Sequence, residues 1–247
     1  MKSLNSLSRN VATMVVALLF FVGANLANAQ NYVAPQFKTV TVNGGVTGKC
    51  SVQIKYQRIA NDSNNAAFQK INRANRVDVI NQRAATTSDD IAVQDITAEM
   101  LDCYVEGLFG EPYHNVSQTA TTIRGGKYVQ FSTYVETYFG GAHPMIADMC
   151  SIYNLSTGNL LDLSYMMTGS YGSTLKRYLY NYLRQELGTF FQVSSLSEMP
   201  DPSSCELTEQ GIIFIYFPYE VAPFAAGNVR AELTDQQIRN MGIPVRW

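Results

Sequence analysis

A chain of 247 residues with 18 Lys+Arg against 20 Asp+Glu carries a formal charge of −2, and only 15% of its residues are charged. That balance excludes the basic footprint with which nucleic-acid binders neutralise phosphates. With 46% apolar residues the chain can bury a core, and its surface must rely on Asn, Gln, Ser, Thr and Tyr rather than on ions.

Residues 1–29 read as a secretory signal: Lys2 and Arg9 are the basic start, 11–22 is apolar but too short to span a bilayer comfortably, and Ala27-Asn28-Ala29 is a small-x-small cleavage site. The expected mature chain starts at Gln30 and is exported, to a periplasm or outside the cell. Losing Lys2 and Arg9 leaves 16 basic against 20 acidic residues, a charge of −4. An uncleaved anchor is the other reading of the same segment. No later run is long and apolar enough to span, so no membrane span is expected once the signal is removed.

Residues 30–48 are polar and read as a loosely attached lead-in to a domain over 49–247, with an N-terminal part (49–96) and a C-terminal part (97–247). Cys50, Val52, Ile54 and Tyr56 alternate with polar residues and predict a strand. After the breaker Asn61-Asp62-Ser63-Asn64, a helix is expected over 65–82 with Phe68, Ile71 and Val79 on one face, although its asparagines are weak helix formers. Residues 84–96 read as a loop. Thr97 is the expected N-cap of a second helix carrying Met100, Tyr104 and Leu108, which Gly110 and Pro112 end.

Strands are then predicted over 114–123, 127–139, 145–153 and 159–163, with turns at Gly125-Gly126, Gly140-Gly141 and 154–158. Leu175, Tyr178, Leu179, Tyr182, Leu183 and Leu187 follow helical spacing over 174–187, between Ser173 and Gly188 as caps. A Pro/Ser/Asp loop precedes Cys205, a strongly apolar strand covers 212–217, and a last strand over 228–233 leads to a short helix capped by Thr234 or Asp235. Hairpins dominate, which predicts an α+β fold: an antiparallel sheet of hairpins packed by about three helices.

Cys50, Cys103, Cys150 and Cys205 are spaced about fifty residues apart with no C-x-x-C pair, which argues against a zinc ribbon or a thioredoxin-type site. Disulfides are the expectation for an exported chain, in any of three pairings. Four buried thiols are the alternative.

The segment Tyr138-Phe139-Gly140-Gly141-Ala142-His143-Pro144, the turn Asn154-Leu155-Ser156-Thr157-Gly158 and Leu161-Asp162-Leu163 resemble the RsiV-like family. So do Leu207-Thr208-x-x-Gly211-Ile212-Ile213-Phe214 and the stretch from Phe217-Pro218-Tyr219-Glu220 to Gly227. That family comprises the extracellular domain of the lysozyme-sensing anti-sigma factor and exported relatives, some joined to a peptidoglycan deacetylase domain. The resemblance spans about 97–235, more weakly 46–82. It implies the family's fold and a ligand in the cell envelope, a lysozyme-like protein or peptidoglycan. The sequence lacks the sigma-factor-binding segment, the internal membrane helix and the deacetylase's Asp-His-His signature, so those activities do not carry over.

The expected binding residues are Tyr138, Gly140, Gly141, Ala142, His143, Pro144, Tyr219 and Glu220. A structural reading of the same residues is that the glycines turn the chain, Pro144 fixes the exit and His143 bonds to backbone. The competing functional reading is an envelope hydrolase using His143 with Asp148, Glu136 or Glu220. With two histidines, no Gly-x-Ser-x-Gly elbow and no spaced ligand motif, no catalytic set, metal or cofactor is expected.

Overall fold

Period-two alternation up to residue 154 builds one large sheet, and the rest of the chain adds a small sheet and the longest helix among the described residues. The computed structural model describes residues 33–80, 88–105 and 110–247. The expected signal segment and Leu108 lie outside these residues. Gln36–Trp247 forms one compact unit; of Met1–Pro35, only Val33, Ala34 and Pro35 are described, without regular structure.

Strand β1 (Phe37–Val46) pairs antiparallel with β2 (Cys50–Ile59), so the expected lead-in supplies the edge strand of the sheet. Helices α1 (Ala66–Val79) and α2 (Asp89–Asp102) follow, then β3 (Tyr113–Ile123), β4 (Tyr128–Tyr138) and β5 (Met145–Asn154). The sheet order is β1-β2-β3-β4-β5. Every pair is antiparallel except β2–β3, which departs from the all-antiparallel expectation. The cause is the helical connection: a chain returned by a crossover re-enters the sheet in the same direction.

The asparagines of α1 serve the sheet. Asn72 accepts from Ile59 N–H (2.8 Å) and donates to Ile59 C=O (2.9 Å). Fully buried Asn75 donates to Gln57 C=O and exchanges two bonds with Gln118, which also donates to Thr133. Helix α2 starts at Ser88, whose hydroxyl accepts from Ile91 N–H, with Asp89 and Asp90 in the first turn where the helix dipole favours them. Thr97, the expected cap, is nearly buried mid-helix and donates to Val93 C=O (2.8 Å). The stretch 159–163 contributes a single bridge, Tyr153–Leu160, in place of the expected strand.

Helix α3 (Gly169–Leu187) begins earlier than its leucine stripe, and Ser173 bonds back to Gly169 C=O instead of capping. The small antiparallel sheet runs β6 (Ser204–Leu207), β7 (Gly211–Tyr216), β8 (Val229–Thr234). Helix α4 (Asp235–Asn240) opens on a capping box between Thr234 and Gln237. The fold is therefore α+β, with eight strands in two sheets among the described residues.

Among the described residues, three apolar clusters hold these layers. Val42, Val52 and Ile54 pack with Val93, Ile96 and Met100 of α2. Phe68 and Ile71 of α1 pack on Val129, Phe131 and Tyr153. Leu175, Leu179 and Leu183 of α3 pack on Ile212, Phe214 and Leu233, and this cluster takes in Ile123, Tyr128 and Ile152 from the opposite face of the large sheet. Helices thus cover one face of the large sheet, and the C-terminal half covers only one end of the other.

Cys50, Cys103, Cys150 and Cys205 are all free thiols, contrary to the expected disulfides. Cys50 lies on the helix-covered face and its thiol points to Thr97 C=O of α2. Cys150 and Cys205 join the C-terminal cluster on the other side. The sheet therefore stands between Cys50 and both of them, and burial pushes the Cys150 thiol up and that of Cys205 to about 12.

Candidate functional site

The hairpin between β4 and β5 turns at Gly140 (φ 99°) and Gly141 (φ 111°), a backbone region that side chains disfavour. Tyr138 holds the base of this loop by donating its hydroxyl to Gly141 C=O (2.9 Å). Its ring stacks on Tyr113 of β3 (centroids 5.6 Å, 29°), whose hydroxyl donates to Glu136 (2.6 Å) and is pushed up to about 12 by that bond, burial and the carboxylate's charge. Ala142 and His143 are exposed and Pro144 half-buried.

The second expected segment follows β7. Glu220 ties its own turn: one carboxylate oxygen accepts from Phe217 N–H (2.7 Å) and the other from the Ser203 hydroxyl. Both oxygens of Glu220 are thus engaged in holding the loop, while Val221 and Ala222 anchor it in the core. The turn drives Tyr219 into the left-handed region (φ 71°) and leaves it 62% exposed. An exposed, non-glycine residue in that region is a strained position maintained by its surroundings.

The two segments meet. His143 Nδ1 lies 2.9 Å from Pro144 C=O, an acceptor only, so Nδ1 carries the proton. In the neutral ring Nε2 is then an acceptor, and the Tyr219 hydroxyl donates to it across 3.1 Å. The imidazole also stacks on Phe224 (3.8 Å, 20°), and Tyr219 and Phe224 lie 6.0 Å apart. Phe139 and Met145, at 41% and 59% exposure, flank the hairpin loop. Phe224, Phe139 and Met145 were not among the expected binding residues. The aromatic content of the two loops was the available signal, but which rings meet depends on tertiary packing.

The carboxylates expected beside His143, those of Asp148, Glu136 and Glu220, are not its hydrogen-bond partners, which among the described residues are a carbonyl and a phenol. His114 stands on the helix-covered face of β3, its Nδ1 2.8 Å from the Thr137 hydroxyl. Among the described residues, no group of three or more His, Cys, Asp or Glu side chains could hold a metal ion.

The fold and this site define a two-sheet α+β domain with an aromatic loop cluster at one hairpin tip. Residues 169–235, which include α3, the small sheet and the Tyr219 loop, match the family described as "Protein of unknown function (DUF3298)". The fold is shared with a crystal structure of a DUF3298 family member from Bacteroides fragilis NCTC 9343 (TM-score 0.64, 17% identity, 84% of this chain and 93% of that one). It is likewise shared with a DUF3298 family protein from Pseudomonas aeruginosa PAO1 (TM-score 0.58, 12% identity, 87% and 99%). No curated protein matches the sequence.

Proposed function

We propose that this chain is an exported, non-catalytic binding module of the bacterial cell envelope, and that it contacts its ligand through His143, Tyr219 and Phe224 at the tip of the β4–β5 hairpin. The observation that carries this reading is Tyr219: an exposed phenol at positive φ, braced by a histidine 76 positions away in sequence. Rigid rings with one polar edge are favoured contact residues, because they contribute large area at little entropic cost. The RsiV-like resemblance of both loops makes a lysozyme-like protein the first ligand to test, and the acidic balance of the mature chain suits a basic partner. Peptidoglycan is the second candidate.

Calorimetric titration of the purified protein with an animal-type lysozyme tests the proposal. Saturable one-to-one binding that Tyr219→Ala weakens about tenfold, the equivalent of about 1.4 kcal/mol, supports it. Binding indifferent to both Tyr219→Ala and His143→Ala removes the cluster from the interface. Absence of binding to lysozyme and to soluble peptidoglycan fragments overturns the reading.

A further inference from the structure

A second surface of the same hairpin has the features of a ligand cleft. On the face of the large sheet away from α1 and α2, the register places Thr41, Lys55, Ser117, Tyr134 and Asp148 in one row across all five strands. Thr119 and Ser132 form the next pair of the β3–β4 ladder. The small sheet closes the end of the row: Arg230 of β8 pairs tightly with Glu206 of β6 and lies 4.0 Å from Asp148. Between these groups is a cleft of about 180 Å³, lined by Ser117, Thr119, Ser132, Tyr134, Asp148 and Glu206.

The polar groups of this cleft are largely uncommitted. Among the described residues the hydroxyls of Ser117, Thr119 and Tyr134 make no hydrogen bond, and the one charged partner of Asp148 is the 4.0 Å contact to Arg230. By contrast, the hydroxyl of Tyr113 at the far end of the same face is used by Glu136. The Tyr134 ring is 38% exposed beside these groups, and burial with the nearby Glu136 and Asp148 charges raises its pKa, so it stays a proton donor.

We propose that this cleft takes one ring of a neutral or amino-bearing glycan, its apolar face on Tyr134 and its hydroxyls on Asp148, Ser117 and Thr119. A pyranose matches this mixture of a flat apolar face and closely spaced hydroxyls. The volume is below the roughly 300–1,000 Å³ of pockets that take drug-sized ligands, and suits a single ring. The charges decide which sugars enter. Three carboxylates, Asp148, Glu206 and Glu136, stand against two cations, Arg230, which Glu206 occupies, and Lys55, which neighbours Ser117 in the row, so the balance is acidic and favours an amino sugar over an acidic one. The cleft is distinct from the His143–Tyr219 cluster and does not depend on the lysozyme reading.

Saturation-transfer NMR and titration of the purified protein with three probes test this: a trimer of N-acetylglucosamine, a trimer of glucosamine and a trimer of galacturonic acid. The expected result is saturable binding of the first two and none of the third. Tyr134→Ala and Asp148→Asn should each weaken binding about tenfold, the equivalent of about 1.4 kcal/mol, while thermal unfolding stays unchanged. His143→Ala and Tyr219→Ala should leave sugar binding intact, so failure of the lysozyme reading and failure of this one are separable. No saturable binding of either amino-sugar trimer at about 10 mM, weaker than any affinity of interest, overturns the proposal. Equal binding by Tyr134→Ala overturns it too, as does preference for the galacturonic acid trimer.

Discussion

The guanidinium of Arg124 grips the carboxylate of Asp235 through two nitrogens, at 2.7 and 3.0 Å, with both side chains at most 16% exposed. Arg124 occupies the β3–β4 turn at φ 58°, and Asp235 is the first residue of α4. The same guanidinium donates to Gly211 C=O (2.9 Å), and Asp235 also accepts from the indole of Trp247 (3.0 Å). One pair thus fastens a turn of the large sheet to the start of the small sheet's last helix. Removing Arg124 leaves the partly buried Asp235 with only Trp247 and the looser contact to Arg239, so Arg124→Ala should cost about 2 kcal/mol in chemical denaturation.

The same pair sets an acid limit. Bonding to Arg124, helped by the Trp247 indole, holds the Asp235 carboxyl below the usual carboxylate range. A folded-state pKa below the unfolded one adds stability that is complete above the ordinary aspartate range and is lost as pH falls through the folded value. Denaturation midpoints measured from pH 6 downwards should fall less steeply in Asp235→Asn than in the parent, whose advantage should vanish at the acid end.

The buried bridge between α1 and the sheet should respond unequally to truncation. Gln118→Ala leaves Asn75, Thr133 and Gln57 N–H without their partner, whereas Asn75→Ala leaves Gln118 still bonded to Thr133 and Gln57. Each orphaned buried group costs about 1–3 kcal/mol, so Gln118→Ala should be the more destabilising of the two by urea titration.

Tyr219 should show the opposite behaviour. Glycine adopts positive φ freely, and a side chain in the left-handed region costs about 1 kcal/mol. Tyr219→Gly should therefore match or exceed the parent's stability while losing ligand affinity. A thermal shift and a binding titration on one preparation check both halves of that expectation.

Cys150 and Cys205 should resist alkylation at pH 8 in the folded protein, since burial disfavours their thiolates, and should react once the chain is unfolded. Mass shifts before and after denaturation count the thiols. Failure of these two to react even in denaturant would show that they are paired.

Local periodicity made much of this fold readable. The leucine stripe of α3 and the run Ile212–Phe217 have regular spacing, and the glycine turns at 125–126 and 140–141 announce their hairpins. Helix α2 was misread because Ser88-Asp89-Asp90 resembles a loop, although Ser followed by acidic residues is also what a helix start requires. Strand β1 escapes the sequence reading because Asn43-Gly44-Gly45 interrupts the short alternation Val40-Thr41-Val42 and reads as a turn. The parallel β2–β3 pairing depends on partners more than fifty positions apart, which no local pattern records.

For the candidate site, both loops were recognisable but their contact was not. Glu220 belongs to the machinery that holds Tyr219 in place, a role visible only once Ser203 and Phe217 are seen around it. The sheet-face cleft had a sequence signal in the alternating polar residues Ser117, Thr119, Ser132 and Tyr134. Such residues carry no meaning until one knows which face is left uncovered.

The β4–β5 hairpin contributes Val129, Phe131 and Tyr153 to the core under α1, and Tyr128 and Ile152 to the core under α3. Neither core is complete without it, and each exposes the hairpin if it opens. Unfolding of one half should therefore drag the other with it, so fluorescence of Trp247 in the C-terminal half and far-ultraviolet ellipticity of the whole should trace a single, superimposable transition.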